Sequence, residues 1–298
     1  MDSPFPIYKI SYEAEQLQED MGTKPKFWFR HPELGKCLFK QARPNTGEDW
    51  SEKVAAELAH LLGLPHAQQE LAVWNNRPGT ISPLMMSEDA YLIHGNDILA
   101  GIVSNYPRDK RYNVSEHTLN IVIQAIDGLD VQKPLGWNAP NGITTALDTF
   151  IGYLLLDAWI SNGDRHHENW GFIETIDQGT YLSPTYDHAS CLGRELLDEK
   201  RQERLYNKTV QAYTERSRSA FYAHVSDKKP LTTLAAFQKA ASFSPKAAKA
   251  ASVWRLQLGK ITDATTLSCL NRIASQRMST TAVDFAQQVL IINKGKLV

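Results

Sequence analysis

An uninterrupted apolar run that ends in a dense polar loop constrains this chain more than any other feature. Residues Ala146 to Ile160 (ALDTFIGYLLLDAWI) follow Thr144-Thr145 and precede Asn162-Gly163, so they read as a capped, mostly buried helix stopped by a turn signal. The helix delivers Ser161-Asn162-Gly163-Asp164-Arg165-His166-His167-Glu168-Asn169-Trp170-Gly171. Beyond this loop, Trp170 to Glu174 and Tyr181 to Ser183 read as two strands joined by a turn at Asp177-Gln178-Gly179. A hairpin therefore separates Asn169 from Asp187, and the scaffold mixes helix and sheet around one rigid polar loop.

Asp164 and Asn169 stand five residues apart in the loop, and Asp187 opens Asp187-His188-Ala189-Ser190 eighteen residues further on. Phosphoryl transfer needs a carboxylate to orient an acceptor hydroxyl and oxygen donors to hold magnesium. Asp164 suits the first task, Asn169 and Asp187 the second. The plainer alternative is a surface loop with Asp164 and Arg165 solvated, and upstream residues weigh against it. Gly22 to Arg30 and Gly35 to Lys40 read as two strands joined at His31-Pro32-Glu33-Leu34-Gly35, with Lys40 ending the second. Asp49 to Leu62 reads as an amphipathic helix stopped at Gly63-Leu64-Pro65. A lysine on such a strand can meet nucleotide phosphates and be steadied by a glutamate from the following helix. Glu52 and Glu57 are both placed for that pairing.

On these residues the chain resembles the HipA family of bacterial serine/threonine kinases, within the protein-kinase-like and phosphatidylinositol-kinase-like fold. The resemblance covers nearly the whole length and rests on Asp164-Arg165-His166-x-x-Asn169, Asp187-His188-Ala189-Ser190, Lys40 and Glu52. It implies an α+β, two-lobed protein-kinase-like fold, with a small β-rich N-lobe over residues 1–86 and a larger, mostly helical C-lobe over 87–298. It implies ATP and Mg2+ as cofactors, Asp164 as catalytic base, Asn169 and Asp187 as magnesium ligands, and Lys40 on the ATP phosphates with Glu52 or Glu57 behind it. His166 falls near the phosphates by its place in the motif, and a bracing role through a backbone hydrogen bond is expected of it. Gly22 to Lys26, with Gly22, Thr23 and Lys24 toward the phosphates, would be the phosphate-covering loop, although a full Gly-x-Gly-x-x-Gly is missing. The family further implies a protein substrate, autophosphorylation, an antitoxin partner and a growth-inhibiting role. No counterpart of HipA's extra N-terminal subdomain is expected.

Composition narrows the remaining classes. At 298 residues, with 42% hydrophobic, the chain can fill two lobes. A net charge of −1 gives no general attraction to nucleic acid or anionic membrane, so neither is expected as a partner. Cys37, Cys191 and Cys269 are far apart without metal-ligand spacing, which favours reduced thiols in a cytoplasm. The start, Met1-Asp2-Ser3-Pro4-Phe5-Pro6, has no basic and apolar leader pattern, and the run from Phe150 to Ile160 is too short to span a bilayer and contains Asp157.

The rest of the chain follows a kinase order. Thr80 to Met86 reads as the last strand of the small lobe, and Ser87-Glu88-Asp89 as a hinge whose backbone would meet adenine. Tyr106 to Arg111 reads as a solvated basic loop, Ser115 to Ile126 as part of the large lobe, and Gly193 to Leu205 as a salt-bridged surface helix or, standing where kinases keep an activation segment, as a stretch that positions a protein substrate. Helical patterns fill Leu231 to Leu290. Three rival readings stand beside the kinase. A lipid kinase would need a basic membrane-facing surface, for which Arg108, Lys110 and Arg111 form the compact cluster. A metal-dependent hydrolase would use His166, His167 and His188 with Asp164 and Asp187. A catalytically silent interaction module would keep the shape alone.

Overall fold

The computed structural model describes residues 3–11, 14, 17–18, 25–176 and 179–298. Gly22, Thr23 and Lys24, expected in the phosphate-covering loop, lie outside the described residues, as do Asp177 and Gln178 of the expected turn.

The N-terminal part is built on strands β1 (Ile7–Ile10), β2 (Leu17–Gln18), β3 (Lys26–His31), β4 (Gly35–Gln41), β5 (Glu70–Trp74) and β6 (Arg77–Pro83). They form one sheet in the order β1-β5-β6-β4-β3-β2, with β1 parallel to β5 and the other pairs antiparallel. The two-residue period of a strand sorts the side chains. Phe27, Phe29, Cys37 and Phe39 bury on one face in an aromatic cluster with Trp74 and Ile81. Lys26, Trp28, Leu38 and Lys40 therefore face the other side, where they line a cleft. Gly79 lies opposite Gln41 on β6 because a Cβ there would meet the Lys40 carbonyl oxygen at 2.2 Å.

Helix α1 (Glu48–Leu62) crosses behind this sheet and stops at Gly63, whose φ of 76° is the left-handed cap that glycine adopts most cheaply. The sequence predicts an amphipathic helix, yet twelve of its fifteen residues are buried, Glu48, Asp49, Glu52 and Lys53 among them. The polar face is covered by other parts of the chain: Asp49 pairs with Arg277, and Glu48 with Arg43 and Arg194.

A second sheet, β7-β8-β9, comprises β7 (Tyr91–His94), β8 (Gly171–Thr175) and β9 (Gly179–Leu182). Its hairpin is the expected one, whereas β7 carries no alternating pattern in the sequence. Gly171 admits β7, since a Cβ there would lie 2.2 Å from the Ile93 carbonyl oxygen. The helical part contains α2 (Gly95–Ile102), α3 (Leu119–Gly128), α4 (Ala146–Ile160), α5 (Asp198–Tyr206), α6 (Val210–Arg216), α7 (Thr233–Ala241), α8 (Pro245–Lys260), α9 (Asp263–Asn271) and α10 (Thr280–Leu297). Helix α4 is its axis: all fifteen residues are buried, and α7, α8 and α10 pack around it. Its start is a capping box, in which the Thr145 side chain accepts from Asp148 N–H and the Asp148 carboxylate accepts from Thr145 N–H. The architecture is α+β, a curled sheet followed by a mostly helical part. No helix among the described residues is long and apolar enough to cross a membrane.

Candidate active site

The polar loop is held from inside α4. Asp157, three residues before the helix ends, receives Arg165 Nη2 at 2.7 Å and Arg165 Nε, and also takes a bond from Asn162 Nδ2 at 2.8 Å. The chain turns sharply at Ser161, whose φ of 55° is left-handed, and this brings Arg165 back over its own helix. Arg165 is 1% exposed, so the reading of this loop as solvated surface does not hold. Its Nη1 donates to the Asn169 carbonyl, and Asn169 Nδ2 donates to the Asp164 carbonyl at 2.6 Å. That bond fixes the amide: the nitrogen faces the carbonyl, which leaves Asn169 Oδ1 as the end available to a cation.

Asp187 reaches the same place from the far end of the hairpin, with a left-handed φ of 57° bending the backbone after Tyr186. Its Oδ2 lies 3.3 Å from Lys40 Nζ. Burial pushes the Lys40 ammonium down, but Asp187 and then Glu52 outweigh it and hold its pKa above the ordinary value. The direct partner of Lys40 is thus Asp187, with Glu52 acting through its nearby charge. Glu52 Oε1 itself accepts from His188 N–H at 2.9 Å. Glu57, expected as an alternative partner of Lys40, instead receives Lys53 Nζ at 2.6 Å, which also reaches Glu70. It is too occupied with that pair to serve Lys40.

Lys40, Asn169 and Asp187 line one cleft of about 200 Å³. Its wall is apolar where Leu38, Leu84, Met85, Met86 and Leu92 meet, and Ser87, Glu88 and Asp89 do not line it. The segment that lines the cleft is Leu84 to Met86, directly after β6 ends at Pro83, and not the expected Ser87 to Asp89.

Asp164 stands beside this cleft with its side chain 31% exposed. Burial first and the Asp187 charge second push its carboxyl up to about 6, while Arg111 and the Ser190 hydroxyl, 3.3 Å from Oδ2, pull the other way. His166 is buried, and desolvation together with Arg111 lowers its pKa to about 3, so the ring is neutral. Glu168 N–H approaches His166 Nδ1 at 3.2 Å and Arg111 Nε approaches Nε2 at 3.3 Å. A neutral imidazole has one lone pair to offer, so only one of these is a hydrogen bond at a time. The first would brace the loop through its backbone, and the second would tie the ring to Arg111 instead.

Arg111 is the residue that sequence reasoning missed most clearly. Placed in a solvated basic loop by its neighbours, it turns inward, 3.3 Å from Glu168 Oε2 and over the Tyr112 ring, and lines the cleft. No local pattern distinguishes it from Arg108, which pairs with Asp97 at the surface. The other histidines are separately engaged: His167 Nδ1 with Tyr106 at 2.8 Å, and His188 Nε2 with Thr185 at 2.7 Å. Among the described residues no three His, Cys, Asp or Glu side chains gather as a metal cluster.

The whole chain superposes on a Helicobacter pylori proinflammatory kinase, CtkA, with a TM-score of 0.75 and 18% identity over 98% of this chain and 95% of that one. The fold is kinase-like. A second kinase-like neighbour is HipA from a Shewanella oneidensis MR-1 toxin–antitoxin complex with HipB and operator DNA, with a TM-score of 0.59, 13% identity, and 98% and 67% of the two chains covered. At these identities the likeness is one of fold. No protein-family profile and no curated sequence matches the chain.

Proposed function

We propose that this chain is an ATP- and Mg2+-dependent kinase that phosphorylates serine or threonine of a protein. The observation that carries this reading is the meeting of Lys40 and Asp187 at 3.3 Å in a cleft that also presents Asn169, with Asp164 beside it. One ammonium, one carboxylate and one amide oxygen around an apolar-walled slot suit a triphosphate, a hard divalent cation and a flat base. Asn169 Oδ1 and Asp187 would hold the magnesium, which when bound neutralises phosphate charge. Two protein ligands are what such an ion ordinarily takes when phosphates and water supply the rest.

Lys40 would let go of Asp187 to meet the phosphates, its charge maintained by Glu52. Asp164 would accept a hydrogen bond from the acceptor hydroxyl; a carboxyl near 6 is ionised at neutral pH and more basic than an ordinary aspartate. Arg165, locked to Asp157, keeps Asp164 and Asn169 in register, so most of the rate would come from positioning. The same reading keeps residues 1–86 and 87–298 as the two lobes, with the nucleotide between them.

The test is incubation of the purified chain with Mg2+ and γ-labelled ATP, with and without a cell lysate, beside Asp164→Ala and Asp187→Ala. Label on protein serine or threonine that both variants lose is the expected result; equal labelling by either variant would remove that residue from its role. A finer proposal, a growth-inhibiting toxin with an antitoxin protein partner, is supported by the shape shared with HipA. Expression of the wild type in a bacterial host should then arrest growth where Asp164→Ala does not, and equal growth would end it.

A further inference from the structure

We propose that the cavity which Asp164 lines together with Arg194, Arg204, Arg216 and Arg218 is an acceptor subsite, and that it selects peptides with an aspartate or glutamate close to the acceptor hydroxyl. The proposal deepens the kinase reading and rests on it. Asp164 does not line the nucleotide cleft, but it lines a cavity of about 140 Å³ with Arg111 and His166 and another of about 420 Å³, the roomier approach to its carboxylate. An acceptor approaching the Asp164 carboxylate through that cavity would pass Arg194, Arg204, Arg216 and Arg218.

These arginines come from different places: the segment after Asp187, helix α5, the last residue of α6, and the stretch beyond it. A solvated face of one helix does not produce such convergence. Their charge is only partly answered within the chain. Arg194 pairs with Glu48 at 2.7 Å and donates to Ser190 Oγ at 3.1 Å, and that hydroxyl donates to Asp164 Oδ2 at 3.3 Å. Arg204 lies over the Tyr213 ring, and Arg218 donates to the Pro230 carbonyl. The acidic groups of the cavity are Asp164 itself and Glu195, which accepts from the Tyr213 hydroxyl at 3.0 Å. Among the described residues no ion pair joins Arg204, Arg216 or Arg218 to a carboxylate, whereas α5 pairs its other cations, Lys200 with Glu203 and Arg201 with Asp198. In a chain of net charge −1 this is a local concentration, not general basicity.

Guanidinium groups bind carboxylates through paired, charge-assisted hydrogen bonds. Arg194 is one hydroxyl removed from Asp164, and an extended peptide advances about 3.3–3.6 Å per residue. An acidic side chain two or three residues from a serine held at Asp164 would therefore fall among the arginines.

The test uses the full chain and fluorescent peptides with a central serine flanked by Asp, Ala or Lys, with binding read by anisotropy and turnover by γ-label transfer. The Asp peptide should bind roughly tenfold tighter than the Ala peptide, about the size of one charged hydrogen bond. Arg204→Ala with Arg216→Ala should erase that advantage, and Arg216→Glu alone should shift preference toward the Lys peptide. Equal binding of all three peptides, or an Asp advantage that survives the double variant, overturns the proposal, as does faster labelling of phosphoinositide vesicles than of any peptide. Discriminating peptide binding without any label transfer by the wild type would support the anion subsite and sink the kinase reading instead.

Discussion

Asp157 shows how a single buried charge can govern a loop through a residue eight positions away. It sits in an apolar helix, 3% exposed, and three of its bonds go to Arg165 and Asn162. Removing one member of such a pair leaves the other charge buried without compensation. Asp157→Asn is expected to cost about 3–5 kcal/mol of stability in urea unfolding, and a loss under 1 kcal/mol would show that Arg165 finds water. Asp164, Asn169, Asp187 and Lys40 could be singled out in the sequence because each stands in a short local motif, and the fold brings Lys40, Asn169 and Asp187 to one cleft. Asp157 was visible only as an interruption of an apolar run, since its partner lies beyond the helix.

Acid sensitivity belongs to the same scale. His117 is 1% exposed, faces the Ala220 carbonyl through Nδ1 and receives Trp170 Nε1–H at Nε2, so it is neutral and satisfied. Burial lowers its pKa from the ordinary 6.5 to about 3. Below 6.5 the unfolded chain binds a proton that the folded chain refuses, so stability is whole above 6.5 and falls as pH drops toward 3. His117→Gln is expected to reduce the slope of stability against pH by about one proton between about pH 4 and 6. An unchanged slope in urea melts across that range would exclude His117 as a contributor.

At the scale of elements, α4 was the most legible because cap, apolar run and stop signal agree. Its capping box gives a measurable expectation: Thr145→Ala should lower stability by about 1 kcal/mol, and a neutral result would mean that Asp148, bonded also to Thr144, holds the start alone. Helix α1 was placed within one residue of its start, but its environment was misjudged. Sequence periodicity registers polar residues, not what covers them, and Arg194 and Arg277 arrive from more than a hundred residues away. Strand β7 was missed for a related reason. Tyr91-Leu92-Ile93-His94 is too short to show a period and becomes a strand by pairing with β8.

For the whole molecule, the curled sheet followed by a helical part was readable from the order of signals along the chain. The way the two parts join was not, because it consists of single long-range bonds. Under the kinase reading, Mg·ATP binds across that junction and only to the folded chain. At a hundred times its dissociation constant it should add about 2.7 kcal/mol, read as a rise in melting temperature. Lys40→Met should lose most of that rise, and chelation of the metal should abolish it; a full rise in Lys40→Met would move the phosphate contact to Lys26 or another cation.

Helix α1 is fastened to the segment after Asp187 by Gly47 N–H to the Arg194 carbonyl, Ser51 to the Ala189 carbonyl, Glu52 to His188 N–H and Glu48 to Arg194. A helix tied at four points and sunk among its neighbours cannot swing out to dismantle the site and swing back on command. Under the kinase reading, movement of this helix would not be what switches such an enzyme. Control would then have to act elsewhere, on the cleft, on the segment after Asp187, or on the number of copies made.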